Sequence, residues 1–400
     1  MLSQELISEV LTNQNEIWLR RNSGIVREKL TAIKMQQGFA NIIIGVRRCG
    51  KSTLMHQLLG KLTGNSLFIN FEDPRLTGFE MDDFRRLDKE ITQRNVQNLF
   101  FDEVQMLDNW EVYVRQKLDE NYTIIVTGSN ASLLSKELGT KLTGRHLSYE
   151  LFPFSYSEYL LLEEKARSLE TFSAYLDEGG FPDFIKTKNP AVLHHLLDDI
   201  LMRDIAVRFG IRDSQSLRKL AVYLLSNVGK LISAGKLTQL FGIKAPSTIL
   251  EYLSYLEDAY LIQFIPKFSY SLKVQLRNPK KVYAIDLGLQ TYNSVSFSKD
   301  KGRKLENLVF LHYRRLGKEI YYYHEKVECD FVIFDKGKIE EVLQVCYDVN
   351  EENLKREING LTSAMDFFGL TEGKIITFNQ TENYQINGKN IDLIPYQILQ

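Results

Sequence analysis

The segment from Gly45 to Ser52 has the residue types and the spacing that bind a nucleotide phosphate chain. It matches the phosphate-binding loop pattern G-x-x-x-x-G-K-[ST]. Glycines let the backbone wrap around phosphates, and the N–H groups at the start of the following helix point at them. We predict that the loop binds ATP, that Lys51 contacts the β- and γ-phosphates, and that Ser52 binds Mg2+. The predicted nucleotide-binding residues are Gly45, Val46, Arg47, Arg48, Cys49, Gly50, Lys51, Ser52 and Thr53.

Two adjacent carboxylates, Asp102 and Glu103, follow the apolar run 98–101. A nucleotide hydrolase needs an acidic site that helps to hold magnesium and activates the attacking water. We therefore expect Asp102 to take part in the Mg2+ site and Glu103 to polarise the water as general base. Without a phosphate-binding loop upstream, such a pair would more simply be a strand end that meets solvent, so this prediction depends on the loop.

Polar residues after the next apolar run are candidates for sensing the nucleotide. Ser129 and Asn130 follow the run 122–127, and either side chain is a candidate for contact with the γ-phosphate or the attacking water. The alternative is that they cap a helix over 131–137, because Ser and Asn are preferred at helix N-caps. The residues alone do not choose between these roles.

Arg145, in the segment Leu-Thr-Gly-Arg, is a candidate for a catalytic arginine that acts in trans. An arginine near the end of a nucleotide-binding module can stabilise transition-state charge on the nucleotide of a neighbouring subunit. This role requires a homo-oligomer. The alternative is a surface arginine or a structural ion pair.

The elements that must position these residues alternate between apolar runs and helical segments. Such alternation predicts a parallel sheet with helices on both faces. Ligands of these sheets bind at the carboxyl ends of the strands, which is where the phosphate loop and the Asp-Glu pair fall. The strands are predicted at 41–45, 66–71, 98–102, 122–127 and 146–151. Helices are predicted over 1–39 and over most of 156–210, with a break at Gly179-Gly180.

Residues 214–285 have the order of elements that is typical of a winged helix. Two helices separated by a turn at Gly242 precede two candidate paired strands at 261–265 and 281–285. The functional interpretation is DNA contact, mostly through backbone charge, and the alternative is a packing module. The second helix is acidic and lacks arginine, so the candidate contacts lie in the turn and the wing. They are Lys244, Lys267, Lys273, Arg277, Lys280 and Lys281.

Composition bounds the class of protein. The chain has 400 residues, 44% of them hydrophobic and 25% charged, which is typical of a globular protein with two or three domains. The net charge of −1 excludes a general attraction to nucleic acid through bulk positive charge. Three scattered cysteines exclude a disulfide framework or a zinc knuckle. Without a secretory signal or a run of membrane-spanning length, we expect a cytoplasmic protein with no membrane contact.

Taken together, the motifs resemble a family of bacterial and archaeal AAA-type P-loop ATPases. The resemblance covers nearly the whole chain, and the order of the motifs is more specific than any one of them. It implies an AAA-like core, a winged-helix segment, and hydrolysis completed by an arginine of a neighbouring subunit, at the position where Arg145 stands. The segments that carry it are GVRRCGKSTL, LFFDEVQ, IIVTGSNASLLS, LTGR, LFPFSYSEYL, EGGFP, MRDI, NPKKVYAIDLGL and ECDFVI.

The resemblance also implies a C-terminal domain with a restriction-endonuclease-like fold, the PD-(D/E)xK class. Active members of that fold use a helix Glu, a strand Asp and a Glu-x-Lys on the next strand to hold magnesium and to position water. Glu306 and Asp330 match the first two positions, but the third is Gln344-Val345-Cys346. Glutamine cannot supply a metal-binding charge, and cysteine cannot replace an ammonium. We therefore expect a degenerate domain kept for binding or assembly.

The predicted fold class is α/β: a P-loop AAA-type parallel sheet with helices on both faces, a winged-helix module, and a C-terminal PD-(D/E)xK-like α/β domain. The predicted boundaries are 1–210 for the ATPase domain with its N-terminal helices and helical lid, 211–290 for the winged helix and 291–400 for the last domain. The predicted function is ATP hydrolysis with Mg2+ by an oligomeric motor or switch, with DNA or a protein as candidate partner. The alternatives are an ATP-dependent nuclease and a slow nucleotide-gated interaction switch.

Overall fold

The computed structural model describes residues 1–129, 142, 144–243, 245–295 and 300–399. The chain forms two compact units. The first is Met1–Glu164 with Asp258–Tyr260, and the second is Lys165–Glu257 with the chain from Leu261 onward. Within the described ranges, no helix combines the length and the apolar character needed to cross a membrane.

The first unit is built on a five-stranded sheet whose strands all run parallel, in the spatial order β2-β3-β4-β1-β5. Each strand overlaps one of the five runs predicted from the sequence, so the predicted parallel sheet is confirmed. The central strand β1 is buried along its whole length, as expected when both faces are covered. The strands are β1 (Ala40–Ile44), β2 (Asn65–Asn70), β3 (Val96–Asp102), β4 (Thr123–Gly128) and β5 (His146–Glu150).

Helices cover both faces of this sheet. They are α1 (Gln4–Leu19), α2 (Lys51–Leu58), α3 (Asp83–Gln93), α4 (Trp110–Asp119) and α5 (Tyr156–Glu163). Neighbouring side chains of a strand point to opposite faces. On β3, the Phe100 ring lies 4.8 Å from Trp18 of α1, whereas the Phe101 ring lies 6.1 Å from Tyr113 of α4. The helices α1 and α4 therefore lie on opposite faces.

The N-terminal region is only partly helical, so the predicted helix over 1–39 is wrong beyond α1. The helix ends at Leu19, and the chain forms a short 3-10 turn only at Glu28–Ala32. The Asn22 side chain accepts the Gly24 N–H at 2.8 Å, and Gly24 has a φ of 59°. This local side-chain turn competes with helical hydrogen bonding.

The second unit begins with a run of helices that is interrupted at Gly179-Gly180, as predicted. The helices are α6 (Leu169–Glu178), α7 (Pro182–Thr187), α8 (Pro190–Asp199), a π-helical segment (Ile200–Val207) and α9 (Ser214–Leu225). Phe172 of α6 stacks on Phe378 and Tyr396 at 5.3 and 5.5 Å between ring centroids. These helices thus belong with the C-terminal part of the chain, whereas the sequence grouped them with the nucleotide domain. The division into three domains stays a prediction.

A three-stranded antiparallel sheet with the order β6-β8-β7 follows in the second unit. Both predicted helices and both predicted strands of this region are present, while β6 and a helix between β7 and β8 were not predicted. The elements are β6 (Leu231–Ile232), α10 (Ala234–Phe241), α11 (Pro246–Asp258), β7 (Ile262–Ile265), α12 (Leu272–Arg277), β8 (Lys280–Ala284) and α13 (Leu287–Asn293).

The C-terminal part of the second unit is a six-stranded mixed sheet with the order β13-β14-β12-β11-β10-β9. The strands β9, β10 and β11 pair antiparallel, and β11, β12 and β14 pair parallel. Glu306 lies on a helix and Asp330 on a strand, as expected from the sequence, and the elements beyond β11 were not predicted. The elements are α14 (Lys301–Arg315), β9 (Glu319–His324), β10 (Glu328–Asp335), β11 (Lys338–Val345), α15 (Leu354–Phe368), β12 (Glu372–Thr377), β13 (Glu382–Ile386), β14 (Lys389–Pro395) and α16 (Tyr396–Leu399).

Candidate nucleotide-binding site

The phosphate-binding loop leaves β1 in a conformation that only glycine tolerates at its first position. A Cβ atom on Gly45 would lie 2.1 Å from the carbonyl oxygen of Leu151, so a larger residue does not fit. Gly50, with a φ of 100°, turns the chain into α2. Gly50 is the N-cap residue of α2 and has no side chain, so it leaves the first N–H groups of the helix open to the loop. This is the backbone arrangement that binds phosphate.

Lys51 is folded back over the loop. Its Nζ donates to the carbonyl oxygens of Gly45 at 3.1 Å and Val46 at 3.2 Å. The same Nζ lies 3.6 Å from Oε1 of Glu103. The ammonium is thus held at the centre of the loop, beside the carboxylate that was predicted to act as general base.

Ser52 and Asp102 are brought together as predicted for a magnesium site. Ser52 Oγ donates to Asp102 Oδ2 at 2.8 Å, and Thr127 Oγ1 donates to Asp102 Oδ1. Burial raises the pKa of Asp102 to about 6, with a further contribution from the negative charge of Glu103. A bound cation would favour the ionised carboxylate.

Glu103 is held in a strained and fully engaged conformation. Its backbone is left-handed, with a φ of 54° and a ψ of 47°, and its N–H donates to Thr127 Oγ1 at 3.1 Å. Gln105 Nε2 donates to Glu103 Oε2 and also to Ser129 Oγ, the latter at 3.1 Å. Burial opposes ionisation, but the charge of Lys51 and the hydrogen bond from Gln105 outweigh it, so the pKa of Glu103 is lowered. Left-handed non-glycine residues are found preferentially at functional sites.

Arg27 fixes the far side of the loop. Its Nη1 donates to the carbonyl oxygen of Cys49 at 2.7 Å, and its Nη2 donates to that of Phe152 at 2.8 Å. Arg27 Nε lies 2.7 Å from Glu158 Oε1, and both side chains are buried. The guanidinium therefore ties the phosphate loop to α5 and to the segment after β5.

These residues fit a Mg2+-bound nucleotide. The loop offers uncapped N–H groups, Lys51 offers an ammonium, and Ser52 with Asp102 offers hard oxygen ligands. In addition, the buried Oε1 of Gln105 has no hydrogen-bond partner among the residues that the structure describes. A buried orphan acceptor is expected where a ligand or its water completes a site.

Arg145 is not brought to this site. It precedes β5, next to the first residue of β1, whereas the phosphate loop follows the last residue of β1. Arg145 therefore lies at the amino ends of the strands, whereas the phosphate loop of its own chain lies at their carboxyl ends. Its Nη1 pairs with Asp119 Oδ1 at 2.7 Å, and 32% of its side chain is exposed.

Of the two candidate sensors, Ser129 is placed at the site through Gln105. Asn130 lies outside the described residues. Sequence reasoning missed three contributors: Gln105, Thr127 and Arg27. Gln105 stands within the LFFDEVQ motif and Thr127 at the polar end of a strand, which are usable signals, whereas nothing local marks Arg27.

The second unit brings Glu306 and Asp330 together, but around a lysine. Lys281 Nζ lies 3.2 Å from Glu306 Oε1 and 2.8 Å from Asp330 Oδ1, and only 2% of its side chain is exposed. Its prediction as a DNA contact is therefore wrong, because the ammonium is buried among carboxylates. Lys267 is ion-paired with Glu325 at 2.9 Å. Lys244 lies outside the described residues.

Gln344 occupies the position of the expected metal-binding Glu. It accepts the Asp330 N–H at 2.6 Å and donates to Glu357 Oε2 at 2.9 Å. Glu341 does not replace it, since its carboxylate accepts from Tyr313 and Lys374 instead. Across the described ranges, no group of three or more His, Cys, Asp and Glu side chains is arranged to hold a metal ion.

Comparisons with known proteins agree with the architecture of the first unit. Residues 37–160 match the family model described as an AAA domain, and residues 169–299 match a domain of unknown function, DUF8612. An uncharacterized protein of Methanocaldococcus jannaschii is 36% identical over 98% of this chain and 94% of its own length. An uncharacterized protein of Haemophilus influenzae is 29% identical over 90% of this chain and 94% of its own length.

Solved structures show much weaker likeness. The Thermotoga maritima RuvB Holliday junction branch migration motor is 16% identical and covers 66% of this chain and 90% of its own, with a TM-score of 0.29. Cdc6p of Pyrobaculum aerophilum is 15% identical and covers 65% of this chain and 86% of its own, with a TM-score of 0.27. At such TM-scores the similarity carries no statement about function.

Proposed function

This chain belongs to the family of AAA-domain P-loop proteins that includes the Methanocaldococcus jannaschii relative, and we propose that it binds ATP and hydrolyses it with Mg2+. One observation carries the proposal. Lys51, the Ser52–Asp102 pair and Glu103 meet at the carboxyl ends of β1 and β3, although they come from segments 50 residues apart.

Each residue has a distinct role in this proposal. Lys51 and the loop N–H groups bind the phosphates, while Ser52 and Asp102 hold Mg2+. Bound Mg2+ neutralises charge that develops on the phosphate oxygens. Glu103 orients and deprotonates the attacking water, and Ser129 reports the state of the site through Gln105. Asn130 remains the alternative sensor.

The proposal includes a homo-oligomer in which Arg145 acts on the nucleotide of a neighbouring subunit. Its position at the edge of the sheet opposite the loop supports a role outside its own site. The alternative is the structural ion pair with Asp119. A reducing cytoplasm is the expected compartment, and the three cysteines are free thiols.

Steady-state ATP turnover by the purified chain tests the function, with Lys51→Ala as the blank. We expect Mg2+-dependent turnover in the wild type, none above background in Lys51→Ala, and retained ATP binding with slow turnover in Glu103→Gln. Turnover in Lys51→Ala equal to that of the wild type would refute the assignment of the site.

We further propose that α9 to β8 form a winged helix that contacts DNA. The order of helices and strands and the sheet order β6-β8-β7 support this fold. With Lys281 buried, the remaining candidate contacts are Lys273, Arg277 and Lys280, together with Lys244, which lies outside the described residues. Lys267 contributes only outside its ion pair. Stimulation of ATP turnover by duplex DNA, lost in a triple alanine variant of the first three residues, is the expected result. Turnover indifferent to DNA would leave a packing role for this region.

A slow nucleotide-gated switch is the second candidate function. Both carboxylate oxygens of Glu103 are engaged, by Lys51 and by Gln105, and such a resting site has to rearrange before it can activate water. Measuring particle size against protein concentration, with and without ATP, separates the candidates. An ATP-dependent change in assembly with very slow turnover favours the switch, and steady turnover favours a motor.

A further inference from the structure

One buried lysine in the second unit is surrounded by three carboxylates. Lys281 Nζ lies 2.7 Å from Glu328 Oε1, 2.8 Å from Asp330 Oδ1 and 3.2 Å from Glu306 Oε1. The lysine comes from β8, whereas the carboxylates come from α14 and β10. An ammonium group has three N–H donors, so these three contacts use its full capacity.

The surroundings hold two of the carboxylates in place independently of the lysine. Tyr283 Oη donates to Glu306 Oε1 at 2.7 Å, and the Val345 N–H donates to Asp330 Oδ2 at 3.0 Å. Side chains that are anchored by second partners keep their orientation when one contact is removed. The oxygens around Nζ are thus directed at one point by the fold.

With Lys281 in place, the three carboxylates are not arranged to hold a metal ion among the described residues, but their chemistry suits a small cation. Hard oxygen ligands are those that Mg2+, Mn2+ and Ca2+ prefer, at about 2.0–2.6 Å. Carboxylates at 2.7–3.2 Å from Nζ would need only a small contraction to reach such an ion. An open cleft of ≈ 740 Å³ is lined by the same three carboxylates and by Gln344, so an ion has a path to them.

We propose that the Lys281 ammonium is a built-in cation that fills the place of a divalent metal ion among Glu306, Glu328 and Asp330. The second unit therefore uses no metal there, and its carboxylate cluster is an ion-paired joint between β8, α14 and β10, in which one positive charge offsets part of the negative charge of three carboxylates. A metal ion and the ammonium exclude each other, because both require the same oxygens and carry the same sign of charge.

The same lysine does not stand in for the missing nuclease lysine. A lysine that positions an attacking water needs an N–H directed at that water, but all three donors of Lys281 face carboxylates. The amide of Gln344 is likewise committed, to the Asp330 N–H and to Glu357. Metal-dependent DNA cleavage by the wild type would overturn the proposal.

Mn2+ binding to the full chain without nucleotide tests the proposal, with free Mn2+ measured by electron paramagnetic resonance. The variants are Lys281→Met, which keeps an unbranched side chain one atom shorter and removes its charge, and Lys281→Met combined with Asp330→Asn. We expect Lys281→Met to gain one Mn2+ site that is at least about tenfold tighter than any in the second unit of the wild type. The double variant should lose that site, which separates it from Ser52 and Asp102 in the first unit.

Lys281→Arg is the matched control, because it keeps the positive charge and should gain no Mn2+ site. A folded Lys281→Met protein that binds Mn2+ no better than the wild type would refute the proposal. If Lys281→Met does not fold, Mn2+ binding by the wild type and by Asp330→Asn alone still tests the proposal. Equal Mn2+ binding by these two proteins supports the built-in cation, and a wild-type Mn2+ site that Asp330→Asn removes refutes it.

Discussion

Ser52 and Asp102 are joined by a hydrogen bond of 2.8 Å between Oγ and Oδ2, across 50 residues of chain. The contact crosses from the start of α2 to the end of β3, and Thr127 of β4 holds the other oxygen of Asp102. Two parallel strands and the helix that follows a third thus contribute to the proposed metal site. The carboxyl ends of neighbouring parallel strands always meet at the same edge, which is why separate motifs converge here.

Ser52→Ala should weaken the response to magnesium more than the binding of nucleotide. It removes the proposed Mg2+ ligand and leaves Asp102 Oδ2 without its donor. We expect the Mg2+ concentration for half-maximal turnover to rise about tenfold or more, measured by titrating Mg2+ at saturating ATP. Ser66→Ala on β2, whose hydroxyl contacts Asn98 instead, is the control and should be unchanged. An unaltered Mg2+ titration of Ser52→Ala would contradict the assigned role.

Glu103→Gln should retain ATP binding and lose turnover by a factor of about 100 or more, because the general base is removed while the shape of the site is kept. Binding is measured with a fluorescent ATP analogue, and turnover by phosphate release. Gln105→Ala is a useful second variant, because it removes the hydrogen-bond donor of Glu103 Oε2 and leaves the carboxylate in place. Turnover at the wild-type rate in Glu103→Gln would show that another group activates the water.

Arg145→Ala and Asp119→Ala distinguish a catalytic arginine from an ion pair. Exposed ion pairs contribute about 1 kcal/mol or less, so loss of the pair alone should alter turnover little. An arginine that acts in trans is worth about 1,000-fold or more in turnover. We therefore expect a large loss in Arg145→Ala and almost none in Asp119→Ala.

Mixing chains gives an independent check on Arg145. A Lys51→Ala chain cannot bind ATP well but still carries Arg145, and an Arg145→Ala chain has an intact loop. Mixed at equal concentration, the two should recover part of the wild-type turnover. Mixtures that remain as inactive as their components, together with equal losses in Arg145→Ala and Asp119→Ala, would point to a structural ion pair.

The phosphate loop and the five strands could be predicted from the sequence because their signals are local. Glycine spacing fixes the loop, and continuous apolar runs fix buried parallel strands. The helix predicted beyond Leu19 was wrong. The apolar pattern of this segment favours a helix, but the local turn at Asn22 and Gly24 ends it.

Arg27 and Lys281 could not be assigned from the sequence, because their partners are far away along the chain. Glu158 lies 131 residues from Arg27, and Asp330 lies 49 residues from Lys281. Each lysine or arginine in isolation is typical of a solvated surface. Only the packing of distant elements shows that Arg27 and Lys281 are buried. In the packed structure Lys281, which was predicted to contact DNA, belongs to an internal ion pair.

Arg27→Met should destabilise the first unit strongly, by about 3–5 kcal/mol, because it leaves the buried Glu158 carboxylate without its cation. The Ser155 and Glu28 N–H groups also donate to Glu158, but they do not supply charge. Combining Arg27→Met with Glu158→Gln should recover much of the loss. Urea denaturation followed by tryptophan fluorescence measures both. A single variant as stable as the wild type would mean that the pair contributes little.

Asp286 should make the stability of the second unit depend on pH. Its carboxylate accepts the N–H groups of Gly180 at 2.6 Å and Leu289 at 2.8 Å, and burial raises its pKa to about 6. The unfolded chain has an aspartate pKa of about 4. Between about pH 4 and about pH 6, Asp286 keeps its proton in the folded state and has lost it in the unfolded state. The contribution of Asp286 to the free energy of unfolding is therefore fully present below about pH 4 and is lost as the pH rises through about 6. The loss is about 3 kcal/mol at most.

Asp286→Asn removes the titrating group and should therefore remove this pH dependence. Denaturation by urea at several pH values between 4 and 7 gives the difference in unfolding free energy between the wild type and Asp286→Asn. As the pH rises, the unfolding free energy of the wild type should fall relative to that of Asp286→Asn. Above the folded pKa of Asp286 the difference should stay constant. Asp183→Asn, at an exposed position of α7, serves as the control for a change of one surface charge. A difference that is constant across this range would mean that Asp286 titrates at the same pH in both states.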